Sequence, residues 1–138
     1  MTQSEILALP PGKNLDALVA EKVLKWQKRF YTDRLWWWHS GDEKMICLSM
    51  DEPHFSTDVY VAWERIVEGE WGNRPDRAGK RFYFKLDSVI SAGWFVEVWD
   101  EYAAVNSVPH GSGGTGIRVY ADTAPHAICL AALLASNI

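Results

Sequence analysis

The sequence predicts an α+β domain, an α-β-α sandwich in which a largely antiparallel sheet of about five strands is covered by helices on both faces. Three observations predict it. The local signals run helix, hairpin, helix, two strands, strand, helix, an order that cannot make the regular βαβ repeat of a doubly wound sheet. The run Trp94-Phe95-Val96-Glu97-Val98-Trp99 is apolar on both faces, as expected of a strand covered on both sides. No repeat or linker divides the 138 residues, so residues 1–138 read as a single domain able to bury a core without metal or disulfide.

The elements follow from local chemistry. After Ser4, Glu5-Ile6-Leu7-Ala8-Leu9 makes a short helical turn, stopped by Pro10-Pro11-Gly12. Asn14 is the expected N-cap of a second helix, in which Leu15, Leu18, Val19, Lys22, Val23 and Trp26 keep a three-to-four spacing. Asp16 in its first turn and Lys25 and Lys28 near its end suit the helix dipole. The polar turn Tyr31-Thr32-Asp33-Arg34 leads into a hairpin of Leu35-Trp36-Trp37-Trp38-His39 and Lys44-Met45-Ile46-Cys47-Leu48. Strand alternation sends Trp37 to the face opposite Trp36 and Trp38, so the three cannot share one core.

Phe55-Ser56-Thr57-Asp58 opens a third helix, with Ser56 or Thr57 as N-cap and Val59, Ala62, Trp63, Ile66 and Val67 at helical spacing. It stops near Gly69 and is followed by the most basic segment of the chain, carrying Arg74, Arg77, Lys80 and Arg81. Phe82, Phe84 and Leu86 alternate with Tyr83 and Lys85 in a strand that precedes the strand at 94–99. Residues 100–116 form a long excursion with a Gly-rich end, and Ile117-Arg118-Val119-Tyr120 is the last strand. Asp122 or Thr123 caps the final helix, with Pro125 in its first turn. From Ala127 on this helix is apolar nearly all round, which means deep burial or an oligomer interface; a homo-oligomer paired through it is the expectation.

Three blocks taken together resemble the phage ABA sandwich domain family. They are Glu5-Ile6-Leu7-Ala8-Leu9-Pro10 with Asn14-Leu15-Asp16-Ala17-Leu18-Val19-Ala20-Glu21-Lys22-Val23; Phe55-Ser56-Thr57-Asp58 with Ala62-Trp63; and Ala121-Asp122-Thr123-Ala124-Pro125 with Ala127-Ile128-Cys129 and Ala131-Ala132-Leu133. The resemblance implies an α-β-α sandwich of phage or prophage origin and no established activity. The chain departs from the family pattern at His126, at Leu130, in the Trp36 to Trp38 run and in the excursion at 100–116.

Composition narrows the function. Fourteen Lys and Arg against eighteen Asp and Glu leave a net charge of −4, unsuited to a long nucleic acid. No apolar run reaches the roughly 18 residues of a membrane span, and the N-terminus lacks a basic region followed by an apolar one, so a cytoplasmic protein of a bacterial host cell is expected. Cys47 and Cys129 form no CxxC pair and read as free thiols. His39, His54, His110 and His126 show no metal spacing with them, and no metal or cofactor is expected. Ser56-Thr57-Asp58 and Asp122-Thr123 stand at helix N-termini, which can hold anions, but capping is the simpler reading. The glycines at 111–116 lack the Lys and the following helix of a phosphate-cradling loop. Glu97, Asp100 and Glu101 cluster at a strand end, where carboxylates are usually solvated, and no nucleophile is paired with a base.

Eight tryptophans are more than a core of this size needs. Trp36, Trp37 and Trp38 with Arg74, Arg77, Lys80 and Arg81 are the candidate ligand-binding residues, since indoles stack on planar groups and guanidinium forks hold phosphates. The expected function is that of a non-enzymatic phage or prophage protein that counters host defence by sequestering a small nucleotide-derived signalling molecule. The alternative is a protein-protein module that inhibits or scaffolds a host or phage protein, because Trp and Arg also dominate protein interfaces.

Overall fold

A computed structural model describes residues 1–39, 45–68, 82–89, 93–100 and 117–136. Among them the chain is α+β, with four helices and two antiparallel three-stranded sheets. Six strands in two sheets stand where the sequence suggested about five strands in one. The additional strand comes from residues read as the end of the second helix.

Helix α1 (Gln3–Leu7) starts with a capping box: the Glu5 N–H donates to Thr2 Oγ1 and the Thr2 N–H to the Glu5 carboxylate, both at 3.2 Å. Helix α2 (Lys13–Leu18) begins at Gly12 with no side-chain cap, so Asn14 lies inside the helix and is not its N-cap. Over Val19–Val23 the hydrogen bonding widens to a π-helical turn. Lys25 then takes a left-handed φ of 60°, and the Trp26 N–H donates back to the Ala20 carbonyl at 2.9 Å. The chain leaves as strand β1 (Gln27–Phe30). Periodicity hides this stop. Trp26, 2% exposed, is the apolar residue that seals a helix end, and it sits where a further helical turn would also place one.

Strands β1, β2 (Trp36–His39) and β3 (Met45–Leu48) form the first sheet in that order. A short 3-10 turn at Ser49–Asp51 leads to helix α3 (Val59–Ala62), which continues as a π-helical turn over Trp63–Val67. Asp58 is the N-cap of α3, its Oδ1 accepting from the Tyr60 and Val61 N–H groups at 3.0 and 3.3 Å. Ser56, expected as a possible cap, is buried and serves a different helix. Its N–H donates to Asp16 Oδ1 at 2.7 Å, and its Oγ accepts from the Gly12 N–H at 2.8 Å.

Strands β4 (Phe82–Val89), β5 (Gly93–Asp100) and β6 (Ile117–Ala121) form the second sheet. Cross-strand register places Leu86, Val96 and Val119 in one row and Val98 beside Ile117, facing the core. Gly93 has φ 88°, and a Cβ there would collide with the Ala121 carbonyl oxygen and lie 2.9 Å from Asp122 Cα. Only glycine fits.

Helix α4 (Ala124–Ser136) packs on β5 and β6 and also on α1, α2, α3 and the two π-helical turns. These neighbours bury eleven of its thirteen residues. The expected homo-oligomer through this helix therefore loses its basis: the apolar circumference is covered by the chain itself. No described helix is long and apolar enough to cross a membrane.

Candidate functional site

The first hairpin carries the densest exposed aromatic surface among the described residues. Its turn is held by backbone and hydroxyl together: the Tyr31 and Thr32 N–H groups donate to the Leu35 carbonyl at 2.8 and 3.1 Å. Thr32 Oγ1 accepts from the Arg34 and Leu35 N–H groups at 3.3 and 3.1 Å. Register pairs Gln27 with His39, Lys28 with Trp38, Arg29 with Trp37 and Phe30 with Trp36. On the other side of β2, Trp37 lies opposite Leu48 and Trp38 opposite Cys47, after which the register shifts so that His39 meets Met45. Directly paired residues share a face, so Lys28, Phe30, Trp36 and Trp38 occupy one side and Arg29 and Trp37 the other.

The tryptophan run divides as alternation requires. Trp38 is 1% exposed, and its indole N–H donates to Glu52 Oε1 at 3.0 Å. Its ring meets Trp36 edge-on at 5.2 Å and Trp26 at 6.3 Å, and Trp26 packs on Phe55 at 5.7 Å. This aromatic group anchors the hairpin in the core. Trp36 is half-buried, with the Lys28 ammonium 4.5 Å above its ring and Phe30 at 6.4 Å. Trp37, half-buried on the opposite face, stacks against Tyr31 at 4.2 Å. Phe30 and Tyr31 are 61% and 70% exposed, and Leu35 is exposed beside them.

Arg74, Arg77, Lys80 and Arg81 lie outside the described residues. The cations that the structure does place at this surface are Lys28, Arg29 and Arg34, all exposed. Lys28 is missed from sequence because its spacing places it at the end of a helix, and Arg34 because it reads as part of a polar turn. The available signal was symmetry about Thr32-Asp33-Arg34: Phe30-Tyr31 before it and Leu35-Trp36 after it, a large apolar pair on each arm of a hairpin.

The other candidates have structural roles or are undescribed. Glu97 is buried on the face of the second sheet opposite Val96 and Val98, 3.5 Å from Arg118 Nε, and on the same face the Phe95 and Tyr120 rings lie 4.8 Å apart. The Asp100 side chain, Glu101 and the glycines at 111–116 lie outside the described residues. His126 Nε2 is 2.8 Å from the Leu9 carbonyl; a carbonyl only accepts, so this nitrogen carries the proton and donates. Cys47 and Cys129 are free. Burial pushes the Cys129 thiol well above its ordinary pKa, with Asp16 adding to the rise. Burial also raises Cys47, helped by the Glu52 and Asp51 charges. Neither is an activated nucleophile. Among the described residues no three His, Cys, Asp or Glu side chains gather as a metal site would require. Comparison with family models, with curated proteins and with solved structures gave no match to this chain.

Proposed function

We propose that this protein is a non-enzymatic binding module that engages a partner protein through the aromatic and cationic surface of its first hairpin. The observation that carries the reading is how the tryptophan rings are used. Trp38 is sealed in the core, Trp36 lies under Lys28, and Trp37 lies against Tyr31. A planar ligand needs open ring faces to stack on, whereas a protein partner packs against the exposed Phe30, Tyr31 and Leu35 and the rims of the indoles. The setting belongs to the same proposal: a phage or prophage protein with an α-β-α sandwich, acting in the cytoplasm on a host or phage protein that it inhibits or scaffolds. Its support is the resemblance of the three sequence blocks. Two of those blocks meet in the fold, where the Asp16 carboxylate accepts from the Ser56 N–H at 2.7 Å. Two free thiols suit a reducing compartment.

The second reading is a small nucleotide-derived ligand held for sequestration, favoured by the cation beside Trp36 and by the basic segment at 74–81. Pull-down from bacterial extract with the wild type, Trp37→Ala and Arg77→Ala, set beside thermal shifts with cyclic nucleotides and ADP-ribose derivatives, separates the two. Loss of a protein partner in Trp37→Ala with no nucleotide-induced shift supports the module. A stabilising nucleotide whose effect vanishes in Arg77→Ala favours sequestration and overturns it.

A further inference from the structure

Strand β1 is the edge of its sheet, and among the described residues no strand pairs with its outer side. The register fixes which of its backbone groups face outward. Tyr31 donates to Leu35, and the β1–β2 pairing continues that register, so Arg29–Trp37 and Gln27–His39 are the hydrogen-bonded pairs. The alternate residues, Lys28 and Phe30, then direct their N–H and C=O groups away from β2. Their side chains stand on the face with Trp36.

Charge selects the occupant. Within residues 25–39, Lys25, Lys28, Arg29 and Arg34 oppose Asp33 alone, a balance of +3 in a chain whose total is −4. Two such edges repel each other, so a second copy of this chain is disfavoured. A long nucleic acid needs a longer basic track than four residues of one hairpin supply. The geometry points to an extended acidic segment of a partner protein, which adds to β1 as a fourth strand, its main chain bonding Lys28 and Phe30 and its carboxylates meeting Lys28 and Arg34. This rests on the partner-protein reading and specifies its docking mode.

The test is titration with a peptide of about ten residues alternating Glu and Val, compared with an alternating Lys and Val peptide and a single-stranded oligothymidylate, with amide hydrogen exchange as readout. The expected result is binding of the acidic peptide alone, with the Lys28 and Phe30 amides exchanging about tenfold more slowly. Lys28→Glu with Arg34→Glu weakens binding about tenfold or more. Phe30→Pro removes an outward N–H that the β1–β2 ladder does not use, and it abolishes binding, whereas Phe30→Ala keeps that N–H and only weakens binding. Where near-ultraviolet circular dichroism shows that the proline variant has lost its fold, N-methylating the peptide amides that face β1 tests the same strand pairing on intact protein. No binding of the acidic peptide, binding with those two amides unprotected, or preference for the oligothymidylate overturns the strand addition. Peptide binding that survives amide methylation but fails in Trp36→Ala leaves the aromatic surface as the site and rejects the edge.

Discussion

Asp16 and Ser56, 40 residues apart, meet in the core through a 2.7 Å bond from the Ser56 N–H to the Asp16 carboxylate. Replacing Asp16 by Ala leaves a buried N–H without its acceptor, and urea denaturation should show a loss of about 1–3 kcal/mol. Ser56 shows the limit of a local reading. Its hydroxyl is as good a cap as the Asp58 carboxylate two positions on, and nothing in the segment tells which one turns inward. The thiols give a pH prediction. Both are raised from the ordinary value of 9.0 by burial and nearby carboxylates, so above that pH the unfolded chain loses thiol protons that the folded chain keeps. Folding stability contributed by the neutral thiols is complete below pH 9.0 and declines as pH rises beyond it. Denaturation curves of the wild type and a double Cys→Ala variant should differ in slope with pH only in that alkaline range. A thiol reagent near neutral pH should label Cys129 only after unfolding.

The elements differ in how plainly the sequence announces them. Strands β4, β5 and β6 alternate or cap in ways that local rules read well. Their pairing depends on Gly93, whose φ of 88° and approach to Ala121 and Asp122 exclude any Cβ. Gly93→Ala should therefore cost about 2–4 kcal/mol, measured by chemical denaturation. Strand β1 was not legible. Val19, Val23, Trp26 and Phe30 continue the helical spacing across a stop that is made by one left-handed residue, Lys25. A lysine announces no such turn. The missed strand completes the first sheet and brings Lys28 onto Trp36, so reading 27–30 as helix also hid Lys28 as a neighbour of the tryptophans. Helix α4 is the reverse case: its apolar circumference was legible, but only tertiary contacts decide that β5, β6 and the other helices cover it.

At the scale of the molecule, the division of the tryptophans was legible because period two is a geometric necessity once 36–39 is a strand. The surplus aromatic surface follows from it: Trp38 joins the core, and Trp36 and Trp37 hold Phe30 and Tyr31 at the surface. If the hairpin surface serves the proposed binding, its exposed side chains contribute little to folding. Phe30→Ala combined with Tyr31→Ala tests it, with thermal melting and acidic-peptide affinity measured on the same sample. Because both side chains are largely exposed, the melting temperature should fall by no more than about 5 °C while affinity falls at least about tenfold. An unchanged affinity, or a collapse in melting temperature with affinity preserved in the folded fraction, would contradict it.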